Sequence, residues 1–135
     1  MAVDGLATIR SSYGPEETMN RFEAEVRQRG MIAFAHIDFA AGAASAGLSL
    51  RPTDLLIFGN ARVSTPLMEL VQTIGIDLPL KALVWQDASG MAWLSYTEPN
   101  WLATRHGLDP DAAANIGVLT VELSQMAKSA TEFPC

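Results

Sequence analysis

His36 and His106 are the only imidazoles in the chain, and Asp38 shares a strand face with His36 two positions along. A metal centre takes three or four donors. No CxxC, HxxxH or HExxH spacing occurs, so no metal and no other cofactor is expected. His106 stands beside Gly107 at the end of a short helix, where an imidazole either favours the helix dipole or serves as a general base. Arg51 and Asp77 lie near prolines in stretches that are otherwise apolar, and charges in such places are usually paired. Either Arg51 clamps a carboxylate or phosphate ligand with Asp77 holding it from behind, or the two form a bridge between loops.

Phe58-Gly59-Asn60 and the Thr65-Pro66 helix start place an amide, a hydroxyl and free backbone N–H groups at the exit of a buried strand. An anion fits there; the plainer alternative is that Asn60 satisfies its own loop and Thr65 caps the helix. Trp85, Trp93, Tyr96 and Trp101 fall within 17 residues. With a four-residue turn, Trp85 and Trp93 point to opposite sheet faces, one under the helices and one on an open face suited to a ligand or a dimer contact. Ser45, Ser49 and Ser64 have no G-x-S-x-G elbow around them, and neither G-x-G-x-x-G nor a P-loop is present.

These groups need elements to hold them. Leu6 to Ser11 reads as a strand, followed by a helix with Pro15 at its first position, Glu16 and Glu17 in its first turn, a Met19/Phe22/Val26 stripe and a stop at Gly30. Met31 to Asp38 is a second strand, with Ile32, Phe34, His36 and Asp38 on one face. The small-residue run from Ala40 to Gly47 is expected to form a short helix packed very close to a neighbour. Asp54 to Phe58 suits a central strand, and Thr65 to Gly75 a helix. Lys81 to Gln86 and Met91 to Tyr96 flank a hairpin turn, Asp87-Ala88-Ser89-Gly90. Pro99 to Arg105 is a short helix, and Asp109-Pro110 caps a long last one with a stripe of Ala112, Ile116, Leu119, Leu123, Met126 and Ala130. The order implies an α+β two-layer domain of five strands with helices on one face.

The chain of 135 residues is one domain, with its core over about 6–130. A net charge of −6 excludes the phosphate-neutralising surface of a nucleic-acid binder and disfavours anionic membrane surfaces. Eight of 24 charged residues fall in 31–97, so the middle of the chain is expected to be unusually buried. The single cysteine, Cys135, reads as part of a frayed tail. Residues 1–14 carry no leader pattern and no apolar run is long enough to span a bilayer, which makes a soluble cytoplasmic protein the default.

Several ordered motifs carry a resemblance. Phe34-Ala35-His36-Ile37-Asp38, the run to Gly47, Leu50-Arg51-Pro52-Thr53, Leu56-Ile57-Phe58-Gly59-Asn60, Thr65-Pro66-Leu67-Met68, Asp77-Leu78-Pro79-Leu80 and Trp101 to Leu108 together resemble the bacterial and archaeal domain of unknown function family 302, over about residues 6–125. Phe39 stands where relatives commonly have histidine, and Ala61 and Ser64 where proline and glycine are usual. The resemblance implies a curved antiparallel sheet like the TATA-box-binding-protein saddle, often homodimeric, and no established activity.

Three functional expectations follow. The first is a homodimeric domain binding a small anionic or amphipathic ligand through Arg51, Asn60, Thr65, Asp77, Trp85 and His106. The second is an enzyme using His106 for proton transfer with Asp77 or Arg51 in support. The third is a protein-interaction module working through the hairpin face.

Overall fold

The computed structural model describes residues 3–109 and 114–133. In chain order the elements are β1 (Leu6–Arg10), α1 (Pro15–Gln28), β2 (Ile32–Asp38), α2 (Phe39–Ser45), β3 (Thr53–Gly59), α3 (Ala61–Leu70), a 3₁₀ segment (Gln72–Asp77), β4 (Leu80–Gln86), β5 (Ala92–Thr97), α4 (Pro99–Arg105) and α5 (Ala114–Thr131). The strands form one curved antiparallel sheet in the order β1-β5-β4-β3-β2, with helices on one side, as the α+β reading expects. Helix α1 therefore carries the chain from one sheet edge to the other.

The apolar stripes explain the layering. Met19, Phe22 and Val26 of α1 and Leu119, Leu123, Met126 and Ala130 of α5 are buried against Leu56 and Phe58 of β3, Val84 of β4 and Leu94 of β5. Phe22 meets Phe58 edge to face, with ring centroids 5.3 Å apart. Proline opens α1 and two glutamates occupy its first turn, while Gly30, at φ +75°, turns the chain into β2. A smaller cluster of Leu67, Ile74, Ala103 and Ile116 ties α3, the 3₁₀ segment and α4 to α5.

Five expectations are corrected. The β4–β5 loop holds five residues, not four, because the Asp87 carboxylate accepts the backbone N–H groups of Ser89 and Met91 and draws Met91 into the turn. Trp85 consequently pairs with Trp93, and the two indoles share one face, stacked at 5.9 Å, instead of pointing apart. Helix α3 starts at Ala61, capped by Asn60, so Thr65 and Pro66 lie inside it and do not open it. A bulge between Ala33 and Ala35 breaks the alternation of β2, which puts Ile32, opposite Gly59, on the face away from His36, opposite Leu56. Finally, α2 buries none of its residues, and a Cβ placed on Gly42 would meet no atom within 4 Å. The scarcity of charge in the middle of the chain thus marks an open apolar surface as well as core. The expected Asp109-Pro110 cap, Ala112 and the Cys135 tail fall wholly or partly outside the described residues.

Candidate functional site

The site grows from the ends of two short elements. The 3₁₀ segment terminates at Asp77, and α4 terminates at Arg105, with His106 as the residue after its last turn and Gly107, at φ +74°, turning the chain away. Asp77 receives both the guanidinium and the imidazole. Arg105 Nη1 lies 2.7 Å from each carboxylate oxygen, and His106 Nε2 lies 2.5 Å from Oδ2. An ionised carboxylate only accepts, so Nε2 carries the hydrogen of that bond and the other ring nitrogen is the basic one when the imidazole is neutral. His106 is largely buried, with a side-chain exposure of 10%, whereas Arg105 is half exposed. Desolvation pushes the Asp77 carboxyl up, but the His106 hydrogen bond and the Arg105 charge together outweigh it and hold the group below the usual aspartate value.

Trp101 extends the cluster. It lies one helical turn before Arg105, whose guanidinium sits 5.9 Å from the centre of its indole ring. The ring is seated on Gly5, where a Cβ would come within 2.2 Å of it. Asp77, Lys81, Thr97 and Trp101, with Leu80, Leu102 and Leu123 behind them, line a pocket of about 70 Å³. Arg105 is absent from the ligand site expected from the sequence, and Trp101 is expected only among the hairpin aromatics. The i, i+4 spacing of Trp101 and Arg105, with His106 next in line, is the signal that could have found them.

The other expected site residues lie elsewhere. Arg51 does not meet Asp77. Its Nε donates to the Gln86 carbonyl, at the hairpin end of β4, and its charge helps lower the Asp87 carboxyl. Asn60 is occupied locally, accepting from the Val63 N–H and donating to the Gly30 carbonyl. Thr65 is exposed on α3. Trp85 donates from Nε1 to Ser95 Oγ, and Trp93 donates to Asp87 Oδ2, so the indole pair is pinned at both ends.

His36, Asp38 and Asp54 gather on the helix side of the opposite sheet edge. His36 Nε2 is 3.6 Å from Asp54 Oδ1, and Asp38 stands across from Asp54 in the ladder. Burial, and then the Asp38 charge, push the Asp54 carboxyl above its ordinary value despite His36. With Pro15, Glu16 and Pro52 these residues border an open cleft of about 630 Å³. Among the described residues no group of three or more histidine, cysteine, aspartate and glutamate side chains is placed to hold a metal ion.

The chain is an α+β fold with a curved sheet and a polar cluster at Asp77, and no helix among the described residues is long and apolar enough to cross a membrane. The chain belongs to the family described as "Domain of unknown function DUF302", whose profile matches residues 7–128. It is 48% identical over 111 residues to "Fluoride-specific ion channel FluC 1" of Brucella suis biovar 1 (strain 1330), covering 81% of this chain and 44% of that protein. It is also 48% identical over 111 residues to "Fluoride-specific ion channel FluC 1" of Brucella abortus biovar 1 (strain 9-941), covering 81% and 41%. The chain thus spans less than half the length of these curated relatives. A solved structure, "Crystal structure of uncharacterized conserved protein DUF302 from Bacillus stearothermophilus", superposes with a TM-score of 0.83 at 20% identity over 95% of this chain and 99% of that one, a likeness of fold.

Proposed function

We propose that the chain is a homodimeric binding domain for a small anion, without catalysis of its own, whose ligand is met at the Asp77–Arg105–His106 cluster. The observation that carries this is the way Arg105 is spent. One nitrogen, Nη1, serves both oxygens of Asp77, and no described residue accepts from Nε or Nη2 of this half-exposed guanidinium. Lys81 adds a second cation at the adjoining pocket. Ligand pockets for drug-sized molecules run to roughly 300–1,000 Å³. A volume of about 70 Å³ suits an inorganic anion or a short carboxylate far better than a nucleotide. The name of the Brucella relatives puts fluoride among the anions worth testing.

The experiment is thermal unfolding in fluoride, chloride, phosphate and acetate, on the wild type and on Arg105→Gln. A ligand at 100 times its dissociation constant adds about 2.7 kcal/mol to stability. One anion raising Tm in the wild type and not in Arg105→Gln is the expected result; no shift with any of them overturns the reading.

A second reading, an enzyme with His106 as the proton-transfer group, draws on the same Asp77–His106 contact, since a carboxylate on one ring nitrogen orients the other as a base. A His106→Ala chain that keeps both its fold and the full cellular phenotype disposes of it.

A further inference from the structure

Among the described residues, a run of exposed apolar side chains falls on the β2 edge of the sheet and the segment that follows it. Ile32, Phe34 and Ile37 of β2, Phe39 of α2, and Leu48 and Leu50 of the α2–β3 connection are between 38% and 67% exposed. They are neighbours along the chain, on an edge strand, on the helix that follows it directly beside the start of β3, and on the connection beyond. Asp38 fixes the junction, its Oδ1 accepting the Ala41 N–H at 2.9 Å. Scattered exposed leucines are ordinary, but six large exposed apolar side chains within positions 32–50 are not.

We propose that this β2–α2 surface is the two-fold contact between two copies of the chain. The inference rests on the homodimeric part of the reading above and gives that dimer its interface. Two observations select a second copy over other occupants. First, area: at roughly 180 Å² per large side chain, the six residues leave on the order of 550 Å² open, and the exposed alanines of α2 carry this toward the ~800 Å² per partner of a standard interface. Second, charge: Asp38 is the only aspartate, glutamate, lysine or arginine between positions 30 and 50. A protein of net charge −6 repels itself over most of its surface, and this patch is where two copies approach with least penalty. Arg51, at the margin beside Leu50 with its Nε on the Gln86 carbonyl, is the one cation next to these residues, too little to hold an anionic lipid surface.

The contact is a packing of side chains and not a continuous ten-stranded ladder. The bulge at Ala33/Ala35 breaks the edge of β2 halfway along, which blunts strand addition. In an isologous contact each residue near the axis meets its own copy, so a single charge introduced there is paired with its like.

Sedimentation velocity on the full chain, wild type and the double variant Phe34→Glu/Leu48→Glu, tests this. The expected result is a wild-type dimer and a variant whose dimerisation is weakened at least 100-fold while its circular dichroism is unchanged. A variant that remains as dimeric as the wild type overturns the interface and leaves the homodimer standing. A wild type that is monomeric at every concentration overturns both. Should the variant not fold, amide exchange of the wild type decides: protection over residues 32–50 that rises with protein concentration supports the interface, and protection independent of concentration overturns it.

Discussion

Asp77 and His106 stand 29 positions apart in sequence and 2.5 Å apart at Oδ2 and Nε2, with Arg105 gripping both oxygens of the same carboxylate. One acid therefore fastens the end of the 3₁₀ segment to the end of α4, and its carboxylate is the common partner of the Arg105 guanidinium and the His106 imidazole. Replacing it by asparagine removes that charge while nearly keeping the shape. Because Arg105 is half exposed, the stability cost is modest, roughly 1 kcal/mol at neutral pH. The Asp77 carboxyl is held below 3.8, so its contribution is fully present above that pH and is lost as pH falls through the lowered value. Urea unfolding of wild type and Asp77→Asn should show a gap at about pH 5 and above that closes in stronger acid.

Gly5 reaches the same site through Trp101. Its φ of +75° is a conformation that L side chains rarely adopt, and an added methyl would stand 2.2 Å from the indole. The backbone cost of about 1–2 kcal/mol is joined by displacement of the ring, which carries the Arg105 guanidinium on its surroundings. Gly5→Ala should lose about 2–4 kcal/mol by urea titration. It should also weaken whichever anion stabilises the wild type, without touching Arg105, Lys81 or Asp77 directly.

Asp54 works in the opposite sense. Burial and the neighbouring Asp38 raise its carboxyl above the ordinary value, so at neutral pH the ionised group opposes folding, and stability is recovered as pH falls through the raised value toward 3.8. Asp54→Asn should raise Tm at pH 7 by about 1–2 °C. The advantage should fade on acidification, as the wild-type carboxyl takes up its proton. An unchanged or lowered Tm at pH 7 would mean that His36 compensates the charge after all.

What was legible in the sequence follows from which signals are local. The stripes of α1 and α5, the proline start of α1 and the limits of α4 are written in side-chain periodicity and caps, and the structure repeats them to the residue or nearly so. His106 and Asp77 were each recognisable as groups whose placement needed explaining, but their pairing is a tertiary event between elements 29 positions apart, and periodicity cannot see it. Arg51 and Arg105 had equal title to Asp77 as far as composition goes; the fold gave Arg105 the contact and sent Arg51 to Gln86. The small residues of α2 look like close packing in a linear reading, yet the fold sets α2 beside the start of β3 with none of its residues buried.

The hairpin shows how one carboxylate shifts a register. Asp87 Oδ1 accepts from Ser89 and Met91 while Oδ2 accepts from the Trp93 indole at 2.8 Å, and the last of these bonds is the foremost reason that its carboxyl lies below the ordinary value. The loop is thereby fixed at five residues, and Trp93 is held opposite Trp85. Alanine at position 87 frees both backbone donors and the indole at once. The loop then keeps only the Gln86 amide on the Gly90 carbonyl to favour five residues over four, and a one-residue slip would carry Trp93 to the other face of the sheet. The Asp87→Ala variant should show a lowered Tm, weaker near-ultraviolet circular dichroism from the parted indoles, and tryptophan emission shifted to the red. Asp87→Asn keeps an acceptor for the turn or for Trp93 and should fall between the two. Near-ultraviolet signals identical in wild type and Asp87→Ala would show that the Trp85–Trp93 stack sets the register by itself.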